Sequence, residues 1–127
     1  MTKREKQLIC AQILGEPGRV NVIVGMSELL WQFDKVGDIY VTRNIEAGYH
    51  WTEHDNLLRG LFKEKSPQIV TTQSKEILEC LASIVKDGKF DLRVFRVCQY
   101  KEETGLVDYT TEQFSRAMKN RSEIRGY

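Results

Sequence analysis

The segment His50-Trp51-Thr52-Glu53-His54 has the spacing of an inverted zinc-hydrolase motif. On a helix, His50 and His54 would lie one turn apart on one face and could share a Zn²⁺ ion, with Glu53 as the general base. Thr52, however, is a favourable N-terminal cap, which would place His50 before the helix and keep the two imidazoles apart. We therefore predict no metal site and no cofactor, and we keep zinc hydrolysis only as the last of three functional hypotheses.

A second set of candidate residues follows two short apolar runs. The run at residues 39–41 is followed by Thr42 and then by Arg43 and Asn44. The run at residues 69–71 is likewise followed by Thr72 and then by Gln73. Short runs of β-favouring residues are typical of buried strands, and ligands usually bind at the carboxyl ends of parallel strands. These three side chains are therefore expected at one edge of a sheet.

Strands and helices alternate around these residues. Between the two runs, residues 57–62 place leucines and a phenylalanine at helical spacing, so the segment predicts a strand–helix–strand unit with parallel strands. Residues 90–100 and 106–109 predict an antiparallel pair. We expect an α/β fold in three layers, with a mostly parallel sheet of four to five strands, an antiparallel edge hairpin and helices on its faces.

The composition is typical of one globular domain covering residues 1–127. Hydrophobic residues make up 41% and charged residues 29%, and the net charge of +1 gives no general attraction to nucleic acid or membranes. The cysteines are far apart and no apolar run could span a membrane, so we expect a cytoplasmic protein without a membrane partner. Residues 120–127 are expected to form a flexible tail.

Two motifs resemble a known family. The stretch D-I-Y-V-T-R-N-I-E-A-G-Y-H-W, residues 38–51, resembles the Walker B region of ABC-type ATPases of the OLD and RecF/SMC-like group. The stretch P-Q-I-V-T-T-Q-S, residues 67–74, resembles the switch-histidine loop that follows it in that group. The chain thus resembles the C-terminal half of such an ATPase domain. It has no P-loop sequence G-x-x-x-x-G-K-[ST].

The residues that would carry catalysis in that family are replaced. Arg43 stands where the resemblance places a metal-binding Asp, Asn44 where it places the catalytic Glu, and Gln73 where it places the switch His. A cation cannot hold Mg²⁺, and an amide cannot act as a base in phosphoryl transfer. The resemblance therefore implies an ATPase-like protein that is not an enzyme.

The loop after the Walker B-like run is a candidate contact with a protein partner. Its residues correspond to the part of the family that reaches across a nucleotide-sandwich dimer, namely Glu46, Gly48, Tyr49, His50 and Trp51. The partner implied is a true ABC-type ATPase or a second copy of this chain. The alternative is an ordinary strand-to-helix turn in which Gly48 supplies an unusual φ.

Two further alternatives concern side chains near this loop. Trp31 and Tyr40, together with the aromatic residues of the loop, could be exposed and favour an interface, or the tryptophans could fill the core. Arg43 could bind an anion, or it could form a salt bridge to Glu46 or Glu76.

Three functions follow from these observations. The first is a non-catalytic protein-interaction module that regulates or inhibits an ABC-type ATPase in DNA repair or phage defence, as the resemblance implies. The second is a nucleic-acid accessory protein that uses basic residues near both termini. These residues are Lys3, Arg4, Arg116, Lys119 and Arg121. The third is the zinc hydrolase.

Overall fold

Twelve elements make up the fold, and the structure, a computed structural model, describes residues 2–86, 90–100, 103–121 and 124. The strands are β1 (Val20–Gly25), β2 (Lys35–Val36), β3 (Ile39–Thr42), β4 (Gln68–Thr72), β5 (Leu92–Tyr100) and β6 (Glu103–Tyr109). The α-helices are α1 (Lys3–Gly15), α2 (Ser27–Leu30), α3 (His54–Phe62), α4 (Lys75–Lys86) and α5 (Thr111–Lys119). A single 3-10 turn, Trp51–Glu53, leads directly into α3.

The six strands form one sheet in the order β2-β3-β4-β1-β5-β6. The four inner strands are parallel, while β2 pairs antiparallel with β3 and β6 antiparallel with β5. The predicted mixed α/β fold, with a mostly parallel sheet, an antiparallel pair and surrounding helices, is confirmed. The predicted count of four to five strands is too low, because β2 has only two residues and leaves no periodic signal in the sequence.

The central strand β1 is buried along its whole length because helices cover both of its faces. Val20, Val22 and Val24 contact an apolar cluster that includes residues of α3, α4 and α5. Ile23 contacts a second cluster, which includes residues of α1 and α2. Since successive side chains of a strand point to opposite faces, the two clusters lie on opposite sides of the sheet.

Only part of the C-terminal segment is described, namely residues 120, 121 and 124. Ile124 is only 2% exposed and packs in the same cluster as Phe114 of α5. The flexible tail over residues 120–127 stays a prediction, because residues 122–123 and 125–127 lie outside the described part of the chain. Among the described residues, no helix is long and apolar enough to cross a membrane.

Candidate functional site

The structure brings Arg43, Asn44 and Gln73 to one edge of the sheet. β3 and β4 are adjacent and parallel, with Thr42 level with Val70, so the chain leaves both strands on the same side. Arg43 and Asn44 directly follow β3, and Gln73 directly follows β4. This carboxyl edge is where α/β sheets usually bind ligands.

Gln73 links two strand ends. Its side-chain Nε2 donates a hydrogen bond of 2.6 Å to the backbone oxygen of Gly25, the last residue of β1. The register pairs Val24 with Thr72, so Gly25 and Gln73 are neighbours across the sheet. The amide of Gln73 therefore satisfies a backbone carbonyl of the protein itself.

Arg43 is held by the segment that precedes β2. Its Nη1 lies 3.2 Å from Asp34 Oδ1 and donates to the backbone oxygen of Trp31 over 3.2 Å. The expected salt bridge to Glu46 or Glu76 is thus wrong, since the partner is Asp34. Both side chains of the pair are exposed, so the pair orients Arg43 but contributes little stability.

Asn44 has a left-handed backbone conformation, with φ of 50°. Its N–H donates to Thr71 Oγ1 over 3.1 Å, and the N–H of the buried Ile45 donates to the Thr71 carbonyl oxygen, also over 3.1 Å. Asparagine tolerates positive φ better than most residues. The residue type at position 44 is therefore suited to the turn that attaches the loop to β4.

Glu46 is bound to the end of β4. Its Oε2 accepts a hydrogen bond of 2.9 Å from the hydroxyl of Thr72, which is fully buried. The same Thr72 oxygen accepts a 3.0 Å hydrogen bond from the backbone N–H of Ser74. The polar atoms at this strand end are thereby joined in one chain of hydrogen bonds.

His50 and His54 do not lie one turn apart on one helix, as the zinc-hydrolase alternative requires. His50 has extended backbone dihedrals and caps the 3-10 turn: its Nδ1 accepts from Thr52 N, and its own N–H donates to the Glu53 carboxylate. The cap is therefore His50, not Thr52 as predicted. His54 begins α3 and is buried, whereas His50 lies outside that helix. Within the described ranges, no three side chains of the metal-binding types group together.

Four large aromatic side chains are exposed on the segment from residue 31 to residue 51, which contains β3, and we call them the aromatic rim. Trp31 is 60% exposed, Tyr40 76%, Tyr49 49% and Trp51 69%. The alternative in which the tryptophans fill the core is therefore wrong. Trp31 also borders an open depression of about 520 Å³ that Arg43, Asn44 and Ala47 complete. Gly48, with φ of 81°, turns the loop between Ala47 and Tyr49.

The basic residues near the termini are not brought together. Lys3 and Arg4 belong to α1 on one face of the sheet. Arg116 and Lys119 belong to α5 on the opposite face, and Arg121 follows them. The sheet therefore separates the two groups.

Sequence reasoning missed Asp34, Thr71 and Thr72 as parts of this edge. The run Thr71-Thr72 was itself a usable signal, because two hydroxyls at the end of a buried strand need hydrogen-bond partners. Comparison of the chain with protein-family models, with curated proteins and with solved structures finds no significant match.

Proposed function

We propose that this chain is a non-catalytic, ATPase-like protein-interaction module that binds a protein partner through the aromatic rim. The observation that carries the proposal is the exposure of Trp31, Tyr40, Tyr49 and Trp51 beside a strand edge whose polar groups already bind one another. The resemblance in the sequence names the partner class, an ABC-type ATPase of DNA repair or phage defence that this module would regulate or inhibit.

The contacts at the strand ends support a role without catalysis. Hydrolysis of a nucleoside triphosphate needs acceptors for Mg²⁺ and a group that orients the attacking water. Here Glu46 accepts from Thr72, Gln73 donates to Gly25, and Arg43 contacts Asp34. Each side chain stabilises the edge itself, and neither the arginine nor the glutamine can act as a general base.

The rim has the composition of a binding surface. Tryptophan and tyrosine dominate the residues whose truncation weakens protein interfaces most, because they bury large areas with few rotatable bonds. Trp51 begins the 3-10 turn that leads into α3, and Tyr40 lies on β3, so both side chains are attached to regular elements. A partner would therefore meet pre-positioned side chains, which lowers the entropy cost of binding.

The experiment begins with affinity purification of the tagged chain from its native cell, followed by reconstitution with the purified candidate. We expect the captured protein to carry an intact P-loop and to bind the isolated chain directly. Trp31→Ala with Trp51→Ala should weaken that binding by on the order of tenfold or more without lowering the unfolding midpoint. Leu8→Ala removes a similarly exposed apolar side chain from α1 and serves as the control.

Other results would overturn the proposal. Tight ATP binding would show that the chain is a nucleotide-binding protein, and hydrolysis that Asn44→Ala abolishes would show that it is a catalyst. Equal binding by the tryptophan variant and by Leu8→Ala would show that the rim is not the interface. In the remaining case, the partner is a second copy of this chain. Size-exclusion chromatography with light scattering would detect this case as twice the mass of one chain.

A further inference from the structure

A groove of about 740 Å³ opens between α4 and α5, away from the aromatic rim. Ala82 of α4 and Met118 of α5 form its apolar part, and both are half-buried against the core. Three exposed cations also line it, Lys86 from α4 and Arg116 and Lys119 from α5. The groove thus combines an apolar floor with a basic border.

The basic border is not neutralised by the described part of the chain. Among those residues, the ion pairs do not include Lys86, Arg116 or Lys119. Among the described lining residues, the one carboxylate is Glu79, whose Oε1 lies 3.9 Å from Lys75 Nζ on the same helix. Positive charge therefore exceeds negative charge among these described lining residues.

We propose that this groove binds an acidic amphipathic helix of a protein partner. Two packed helices leave a channel that a third helix can fill with an apolar stripe, which is a recurrent mode of peptide recognition. Leucine or methionine side chains of the ligand would cover Ala82 and Met118. Its flanking Asp or Glu residues would face Lys86, Arg116 and Lys119, and this charge complementarity selects acidic over basic helices.

The observations favour such a helix over nucleic acid. Phosphate groups would gain from the three cations but nothing from the apolar floor. The basic pair near the N-terminus, Lys3 with Arg4, lies across the sheet on α1, so it does not extend the basic border of the groove. An apolar floor between cations is better matched by an amphipathic polypeptide.

The groove is separate from the aromatic rim. α4 packs against both α3 and α5, so it lies between the groove and α3, which follows the 3-10 turn that carries Trp51. Binding in the groove therefore does not depend on the function proposed for the rim. The two surfaces could bind different segments of one partner, or two partners at once.

The test uses a fluorescein-labelled synthetic helix of about 18 residues, long enough to be helical when bound. It carries Leu along one stripe and Glu on both flanks. Matched peptides replace Glu by Lys, or Leu by Ser, and a duplex DNA is the fourth probe. By fluorescence anisotropy, we expect the acidic Leu peptide to bind on the order of tenfold or more tightly than each of the other three.

Variants of the folded chain locate the binding. Arg116→Glu with Lys119→Glu should weaken binding of the acidic Leu peptide by on the order of tenfold or more. Ser83→Trp should do the same without any change of charge, because Ser83 is an exposed lining residue and the indole would fill the groove. Lys3→Glu with Arg4→Glu is the matched control, with the same change of charge on the opposite face.

Three results would overturn the inference. Equal binding of the Ser peptide would show that the apolar floor is not used. Tighter binding of the duplex, falling steeply with salt, would assign the cations to nucleic acid instead. Equal weakening by the control pair would show that only net charge matters. If the double α5 variant fails to fold by circular dichroism, Ser83→Trp and Lys86→Glu decide the question.

Discussion

The side-chain Nε2 of Gln73 donates a 2.6 Å hydrogen bond to the backbone oxygen of Gly25, and this contact fixes the end of β1 from one side. On the other side, a Cβ atom at position 25 would come within 2.7 Å of the Val97 carbonyl oxygen of β5. Gly25 is thus confined between β4 and β5, where only glycine fits. Gln73, which stands where the resemblance places the switch His, here contacts the end of the central strand β1.

Replacement of Gln73 should therefore affect stability. We expect Gln73→Ala to lower the free energy of unfolding by about 0.5–1.5 kcal/mol, because the carbonyl of the buried Gly25 loses its donor. Gln73→Glu should cost at least as much, since a carboxylate would face the carbonyl oxygen. Urea denaturation measures both, with Gln99→Ala, an exposed glutamine of β5, as the control. Equal midpoints for all variants would contradict this role.

Asn44 gives a second prediction, which concerns the backbone. With φ of 50°, a Cβ-bearing residue other than Asn or Asp is strained, so Asn44→Ala should cost about 1–2 kcal/mol of unfolding free energy. Asn44→Gly should be nearly neutral, because glycine adopts this conformation without strain. Asn56→Ala, at an exposed position inside α3, should be neutral or slightly stabilising and is the matched comparison in urea denaturation. A loss at Gly equal to that at Ala would show that the Asn44 side chain matters more than its φ.

The elements around the candidate site were largely predictable from local pattern. The apolar runs at residues 39–41 and 69–71 became β3 and β4, because β-favouring residues suit the strands of a parallel sheet. The predicted burial is confirmed for β4 but wrong for β3, whose side chains alternate between half-buried and exposed. The parallel pairing followed from the helix between them, since parallel neighbours need a long crossover. That was sufficient to place Arg43 and Gln73 at one edge.

The contacts of these residues were not predictable, because they depend on which strands become neighbours. Asp34 lies close to Arg43 because β2 and β3 form a short hairpin. The two residues of β2 are too few to give a periodic pattern that would predict this hairpin from the sequence. Gln73 reaches Gly25 only because β1 lies next to β4, and the order of strands is set by packing of the whole sheet. The cap was misassigned for a different reason: threonine is the stronger capping residue in general, but here His50 and Glu53 form a reciprocal pair.

The third prediction is that replacing His50 and replacing His54 have opposite effects on the free energy of unfolding. His50→Ala should lower the free energy of unfolding by about 0.5–2 kcal/mol, because the 3-10 turn loses its cap. His54→Leu should be neutral or stabilising, because the buried Nε2 of His54 has no hydrogen-bond partner among the described residues. Urea denaturation of both variants measures the difference. A large loss of stability in His54→Leu would show that the His54 side chain makes a stabilising contact in the folded chain.

The thiol of Cys80 gives a prediction about pH. Burial raises the pKa of Cys80, the nearby Asp55 carboxylate raises it further, and Arg59 opposes them. A thiol whose pKa is higher in the folded than in the unfolded chain contributes stability below the unfolded pKa, and this contribution is lost as the pH rises through the folded pKa. Under reducing conditions, the free energy of unfolding should therefore fall more steeply above about pH 8.5 in the wild type than in Cys80→Ala.

One further variant distinguishes the contribution of Asp55 to this alkaline loss of stability from that of burial. Asp55→Asn removes the carboxylate but keeps the shape of the side chain, so it should lower the pKa of Cys80 and make the alkaline loss of stability smaller than in the wild type. The effect should vanish when Asp55→Asn is made in the Cys80→Ala background, which removes the titrating group. Parallel pH profiles for the wild type and Cys80→Ala would show that the folded environment does not disfavour the Cys80 thiolate.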